Sequence, residues 1–116
     1  MYHPETALRD AHFFIDLVQK NGLKITAAYL FGSVARKSHT EESDIDIALV
    51  SPDFTGFGFD DLGKTAPSKL RSNPDLEIHP FKESLFTADD PFAAEIMRTG
   101  IKLEIGSSAT EVTENN

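Results

Sequence analysis

The two most apolar stretches of the chain, Leu23–Phe31 (LKITAAYLF) and Ser43–Val50 (SDIDIALV), are separated only by Gly32–Glu42. Both read as strands. A parallel pairing would need a crossover of a dozen or more residues containing a real helix, and this connection is too short to supply one. The first stretch is apolar nearly throughout, so it is expected at the centre of a sheet, covered on both faces. In the second, Ile45, Ile47 and Leu49 point one way, and Asp44, Asp46 and Ala48 the other. A doubly wound parallel sheet is excluded. The expected fold class is α/β (α+β), a small mixed β-sheet packed by helices.

The remaining elements fit that frame. Pro4–Asn21 carries Leu8, Ala11, Ile15 and Val18 at helical spacing, and Gly22 supplies a left-handed stop. His12, beside Phe13 and Phe14, reads as a histidine at the edge of the core and not as a ligand. Val34–Lys37 can form a short helix before the polar loop SHTEES. After the loop SPDFTGFG, the spacing of Phe59, Leu62, Ala66 and Leu70 predicts a helix over Phe59–Arg71, although Gly63 and Pro67 disfavour it. Asp75–Phe81 (DLEIHPF) reads as a third strand, with Leu76 and Ile78 opposite Asp75, Glu77 and His79. Pro80 marks its end or a sheet edge. Asp90-Pro91 forms an N-cap and first helical position for FAAEIMRT, which stops at Gly100. Ile101, Leu103 and Ile105 alternate as a fourth strand. Ser107–Asn116 is polar and patternless and is expected to be a disordered tail. Residues 1–106 then form one domain.

With 19 acidic against 11 basic residues, the net charge is −8. Duplex nucleic acid is disfavoured as a partner, because phosphate neutralisation needs a basic surface. A nucleotide carried with a divalent metal is not. The absence of cysteine excludes a disulfide scaffold, a thiolate nucleophile and a cysteine-ligated metal. No apolar run approaches the ~18 residues of a membrane span. The start MYHPETALRD lacks the basic and apolar stretches of a signal peptide. A cytoplasmic protein is expected.

Two features carry chemistry. Asp44 and Asp46 stand two apart in a strand and so share a face, where like charges repel unless a cation compensates them. Paired hard oxygens on rigid backbone suit magnesium, with water and phosphate oxygens completing its shell. Glu77 or Asp75, on one face of a neighbouring strand, could add a third carboxylate, enough for two metals. Asp-x-Asp alone also fits a solvent-facing strand edge. The second feature is Gly32-Ser33, a sharp turn whose free N–H groups and serine hydroxyl favour an anion. It also fits an ordinary serine N-cap. Ten residues separate Ser33 from Asp44, enough to return the chain and set the turn beside the carboxylates. Arg36 follows the turn and could meet phosphate oxygens, whereas Lys37 reads as a solvated charge. Together these features outline a nucleoside triphosphate site.

Leu30-Phe31-Gly32-Ser33, ten residues, then Asp44-Ile45-Asp46 resembles the signature of the DNA polymerase β-like nucleotidyltransferase superfamily. Within it the chain is most similar to the minimal nucleotidyltransferases (MNT) encoded beside HEPN partners as antitoxins. LEIHPF and PFAAEIMRTGIKLE also resemble the tail of one subgroup. The resemblance spans roughly residues 25–105 and departs at Ala35-Arg36-Lys37, where many members carry glycine in place of the lysine. It implies a polymerase β-like core that transfers AMP from ATP to a hydroxyl, with pyrophosphate leaving. Gly32 and Ser33 would hold the triphosphate, with Arg36 beside them. Asp44 and Asp46 would bind two Mg²⁺ ions, and a third carboxylate would bind the catalytic metal and orient the acceptor. The subgroup pattern selects Glu77; residue type favours Asp75. His79 shares their face and could support them, or be an ordinary strand-end histidine.

No second domain is expected to hold an acceptor. The resemblance implies a tyrosine on a HEPN-type toxin, with a homo-oligomer as the other source of an acceptor site. The alternatives are a non-catalytic antitoxin that masks its partner and a transferase acting on a small-molecule hydroxyl. One competing motif is rejected. Gly58–Thr65 satisfies the P-loop expression G-x4-G-K-[ST], but no strand ends at Gly58, Asp60 and Asp61 would put negative charge in the phosphate cradle, and Pro67 interrupts the following helix.

Overall fold

A computed structural model describes residues 4–32 and 45–106. The elements run α1 (Pro4–Lys20), β1 (Ala27–Phe31), β2 (Ile45–Ser51), α2 (Gly58–Ser72), β3 (Leu76–Lys82), a single 3-10 turn (Glu83–Leu85), α3 (Pro91–Thr99) and β4 (Ile101–Lys102). The expected Val34–Lys37 helix, the SHTEES loop and the C-terminal tail lie outside the described residues.

The sheet is mixed, in the order β3-β2-β1-β4. β1 pairs antiparallel with β2, as the short connection requires, and with β4; β2 and β3 are parallel. The α/β sheet-and-helix architecture expected from the sequence is the one observed. Pro80 lies within β3, an edge strand of this sheet, where a missing N–H is tolerated.

Strand alternation sorts the apolar side chains to two faces. Ala28, Leu30, Ile45, Ile47, Leu49, Leu76 and Ile78 enter the larger core with Ala7, Ala11, Phe14, Ile15 and Val18 of α1. On the other face Tyr29 and Ala48 meet Ile96 of α3, with Phe31, Phe81 and Phe86 packed around them. β1 is therefore covered on both sides, as its unbroken apolar run predicts. α3 is fixed at both ends. Asp90 caps it by accepting the Ala93 N–H at 3.2 Å. At Gly100 the helix comes so close to β1 that a β-carbon would lie 3.1 Å from the Leu30 carbonyl oxygen.

Two expectations change. His12 is exposed, not at the core edge, because the buried stripe of α1 runs through Ala7, Ala11, Phe14, Ile15 and Val18. Phe13 shares that outward side, 48% exposed. In α2 the helix forms despite Gly63 and Pro67, but with the opposite orientation from an ordinary amphipathic helix. Its buried residues are Asp61, Thr65 and Ser68. Each is hydrogen-bonded. Asp61 accepts from the Thr55 and Gly56 N–H groups (2.8 and 2.9 Å) and from the Thr55 hydroxyl (3.0 Å). The Thr65 hydroxyl donates to the Leu62 carbonyl, and Ser68 Oγ accepts from the Asn21 amide. Buried polar groups satisfied in this way cost little.

Gly58–Thr65, the segment matching a P-loop expression, is itself helical within α2. Lys64 Nζ donates to the Asp53 carbonyl at 3.0 Å. The segment forms no loop that could wrap phosphate.

Candidate functional site

The site grows from the paired ends of β1, β2 and β3. Antiparallel register sets Phe31 opposite Asp46, and parallel register sets Glu77 opposite Asp46. Two residues further, Ala48 lies opposite His79. Strand alternation then puts Asp46, Glu77 and His79 on the face that carries α3, away from the larger core.

One ligand-type atom from each of Asp46, Glu77 and His79 lies within 4.8 Å of the others. His79 Nε2 stands 3.1 Å from Asp46 Oδ1 and 4.0 Å from Glu77 Oε2. An ionised carboxylate only accepts, so Nε2 carries the hydrogen and donates it to Asp46. This bond fixes the orientation of the Asp46 carboxylate. The side chains of Asp46 and His79 are about one-quarter exposed and that of Glu77 is half exposed, so the group opens to solvent.

Gly32 closes the other side. It has φ +78°, a conformation glycine adopts without penalty. A β-carbon there would collide with Asp46 Oδ2. Oδ1 is thus held by His79, and Oδ2 occupies space that any other residue at position 32 would fill.

The His79 ring is held in turn by aromatic contacts, with centroids 4.9 Å from Phe31 and 6.1 Å from Phe92, both edge-to-face. Such pairs add to simple area burial. Phe92 follows Pro91 in the first turn of α3, so the Asp90 cap and Pro91 place it over the histidine.

Of the residues singled out in the sequence, Gly32, Asp46 and Glu77 are brought together. Asp75 precedes β3, where its N–H donates to Asn73 Oδ1, and it is outside the group of three. Ser33, Arg36 and Asp44 lie outside the described residues. His79 joins the group through its contact with Asp46, which only the β2–β3 register reveals; its place on the Glu77 face was the available signal. Phe92 carried no such signal.

The donor set fits a hard divalent cation. Asp46 and Glu77 offer carboxylate oxygens of the kind Mg²⁺ prefers, while the His79 nitrogen nearest them is engaged with Asp46.

A sequence profile for the family "Polymerase beta, Nucleotidyltransferase" matches residues 14–105. No curated protein matches the sequence. Among solved structures, the fold is similar to a Sulfolobus solfataricus chain provisionally described as a nucleotidyltransferase. The TM-score is 0.60 at 21% identity, covering 86% of this chain and 79% of the other.

Proposed function

Because the chain belongs to the polymerase beta nucleotidyltransferase family, we propose that it transfers AMP from ATP to a hydroxyl group. The carrying observation is the juxtaposition of Asp46, Glu77 and His79 with the Gly32 turn on one face of the sheet. In the proposed reaction the acceptor oxygen attacks the α-phosphorus, the bond to the bridging oxygen breaks, and pyrophosphate leaves with the electron pair. Reactions of this kind depend mainly on positioning and charge neutralisation.

Asp44, Asp46 and Glu77 are the proposed ligands for two Mg²⁺ ions, which when bound would neutralise triphosphate charge and activate the acceptor oxygen. Gly32 leaves room for Asp46, and Ser33 and Arg36 are the proposed phosphate contacts. His79 orients Asp46. Glu77, the most exposed of the three, is the proposed recipient of the acceptor proton.

The proposed acceptor is a tyrosine of a HEPN-type toxin, with this chain as its cytoplasmic antitoxin. The G-S-x10-D-x-D spacing and the HPF and R-T-G segments support that reading. The test combines the protein, Mg²⁺-ATP and a candidate HEPN protein, with mass spectrometry for added AMP. Modification by the wild type and its loss in Asp46→Asn support the proposal. Wild-type modification by Asp46→Asn would overturn the assignment of these residues.

A further inference from the structure

The outward side of α2 is apolar along its length. Phe59 is 91% exposed, Leu70 68% and Leu62 43%, with Gly63, Ala66 and Pro67 exposed between them. Asp61, Thr65 and Ser68 of the same helix are turned inward. Hydrogen bonds to Asp61 and Ser68 hold the polar side inward, which leaves the apolar stripe in water, an unfavourable place for it.

We infer that this stripe packs against the same stripe of a second copy, antiparallel, about a two-fold axis crossing α2 between Lys64 and Thr65. The pattern of residues reads the same under that operation. Phe59 of one copy meets Leu70 of the other, Leu62 meets Pro67, and Gly63 meets Ala66. Phe59 and Leu70 are eleven residues apart, close to three full turns, so they lie on one line along the helix, roughly 16 Å from each other. The bulky side chains stand at the two ends and the smallest at the centre. Two helices can therefore approach closely at the axis while each end residue enters the gap beside its counterpart. A mainly apolar groove lined by Phe59, Leu62, Gly63 and Ala66, with Asp60 beside them, would face the turn that carries Leu70 of the second copy.

Charge complementarity selects a second copy as the occupant. The first turn of α2 is acidic and the last is basic. Asp60 and Arg71, also eleven residues apart, share one flank of the stripe, and neither forms an ion pair among the described residues. The two-fold sets Asp60 of one copy level with position 69 of the other, about 3 Å of helix rise from Arg71 on the same flank, twice. A parallel pairing would oppose like charges. Self-complementarity of this kind is what an isologous interface requires. The inference is independent of the nucleotidyl-transfer reading.

The experiment is sedimentation equilibrium of the full chain over a concentration series, beside Phe59→Asp, Leu70→Asp, Asp60→Arg, Arg71→Asp and the Asp60→Arg/Arg71→Asp double variant. The substituted side chains are exposed, and far-UV circular dichroism checks that each variant folds. The wild type is expected at twice the chain mass. Either aspartate substitution in the stripe should weaken association at least about tenfold. Each single charge reversal should weaken it, and the double reversal should restore it. A wild type that stays monomeric at every concentration overturns the inference. So does a dimer that survives both stripe substitutions, or a double reversal no better than the singles.

Discussion

A β-carbon on Gly32 would collide with Asp46 Oδ2. Gly32→Ala is therefore expected to act twice. An alanine at φ +78° costs roughly 1–2 kcal/mol of stability. Displacing the Asp46 carboxylate should lower the proposed AMP transfer on the order of 100-fold, since an ångström of misplacement has that effect in a catalytic site. Assaying the variant well below its unfolding temperature separates the two. Wild-type turnover in a folded Gly32→Ala protein would show that the close approach has no catalytic role.

His79 is read as a positioning residue. Removing its bond to Asp46 in His79→Ala should reduce activity roughly 10–100-fold and weaken the apparent Mg²⁺ affinity by a similar factor. His79→Gln keeps a side-chain N–H donor and should recover part of both. Metal titration of the reaction is the deciding measurement, because a purely structural role would leave the Mg²⁺ dependence unmoved.

Lys64 satisfies a P-loop expression but sits in a helix, bonded to the Asp53 carbonyl. Lys64→Ala should leave nucleotide affinity at its wild-type value in a fluorescent-ATP titration. Its pairing with Asp61 is 3.7 Å long and its side chain is 38% exposed, so the stability loss should stay within about 1 kcal/mol.

Asp61 links stability to pH. Burial pushes its pKa up, but the Thr55 and Gly56 N–H groups, the Thr55 hydroxyl and the Lys64 charge outweigh burial and hold it below the ordinary value. A carboxyl with a lower pKa in the folded than in the unfolded chain stabilises the fold above the unfolded pKa. That contribution is lost as pH falls through the folded pKa. Asp61→Asn should be less stable than wild type near neutral pH by about 1–2 kcal/mol. The gap should narrow as the pH is lowered below about 4, the ordinary carboxylate range. Urea unfolding at a series of pH values checks it; a constant gap would contradict the linkage.

Much of this was legible before any coordinates. The short Gly32–Glu42 connection forced β1 and β2 antiparallel, and period-two alternation put Asp46, Glu77 and His79 on shared faces. The choice between Glu77 and Asp75 was not legible, because residues two apart share a face and only register separates them. The β2–β3 pairing sets Glu77 opposite Asp46. His12 was misplaced because Phe13 and Phe14 are adjacent in sequence but only Phe14 turns inward.

The α2 helix shows a different limit. Its apolar spacing correctly announced a helix but not which side faces the core. That side was decided by hydrogen bonds to Asp61 and Ser68 from residues outside the helix, Thr55, Gly56 and Asn21, which no periodicity reveals. The 3-10 turn at Glu83–Leu85 is too short to leave a pattern.

The parallel register of β2 and β3 has one more consequence. Asp46 and His79 are 33 positions apart, and no local segment contains both. Slipping β3 by one residue would present Leu76 and Ile78 in place of Glu77 and His79. The site therefore comes into being only when that long-range strand pairing locks. Regain of the proposed metal-dependent turnover during refolding would time that event and make catalysis a clock for the β2–β3 pairing.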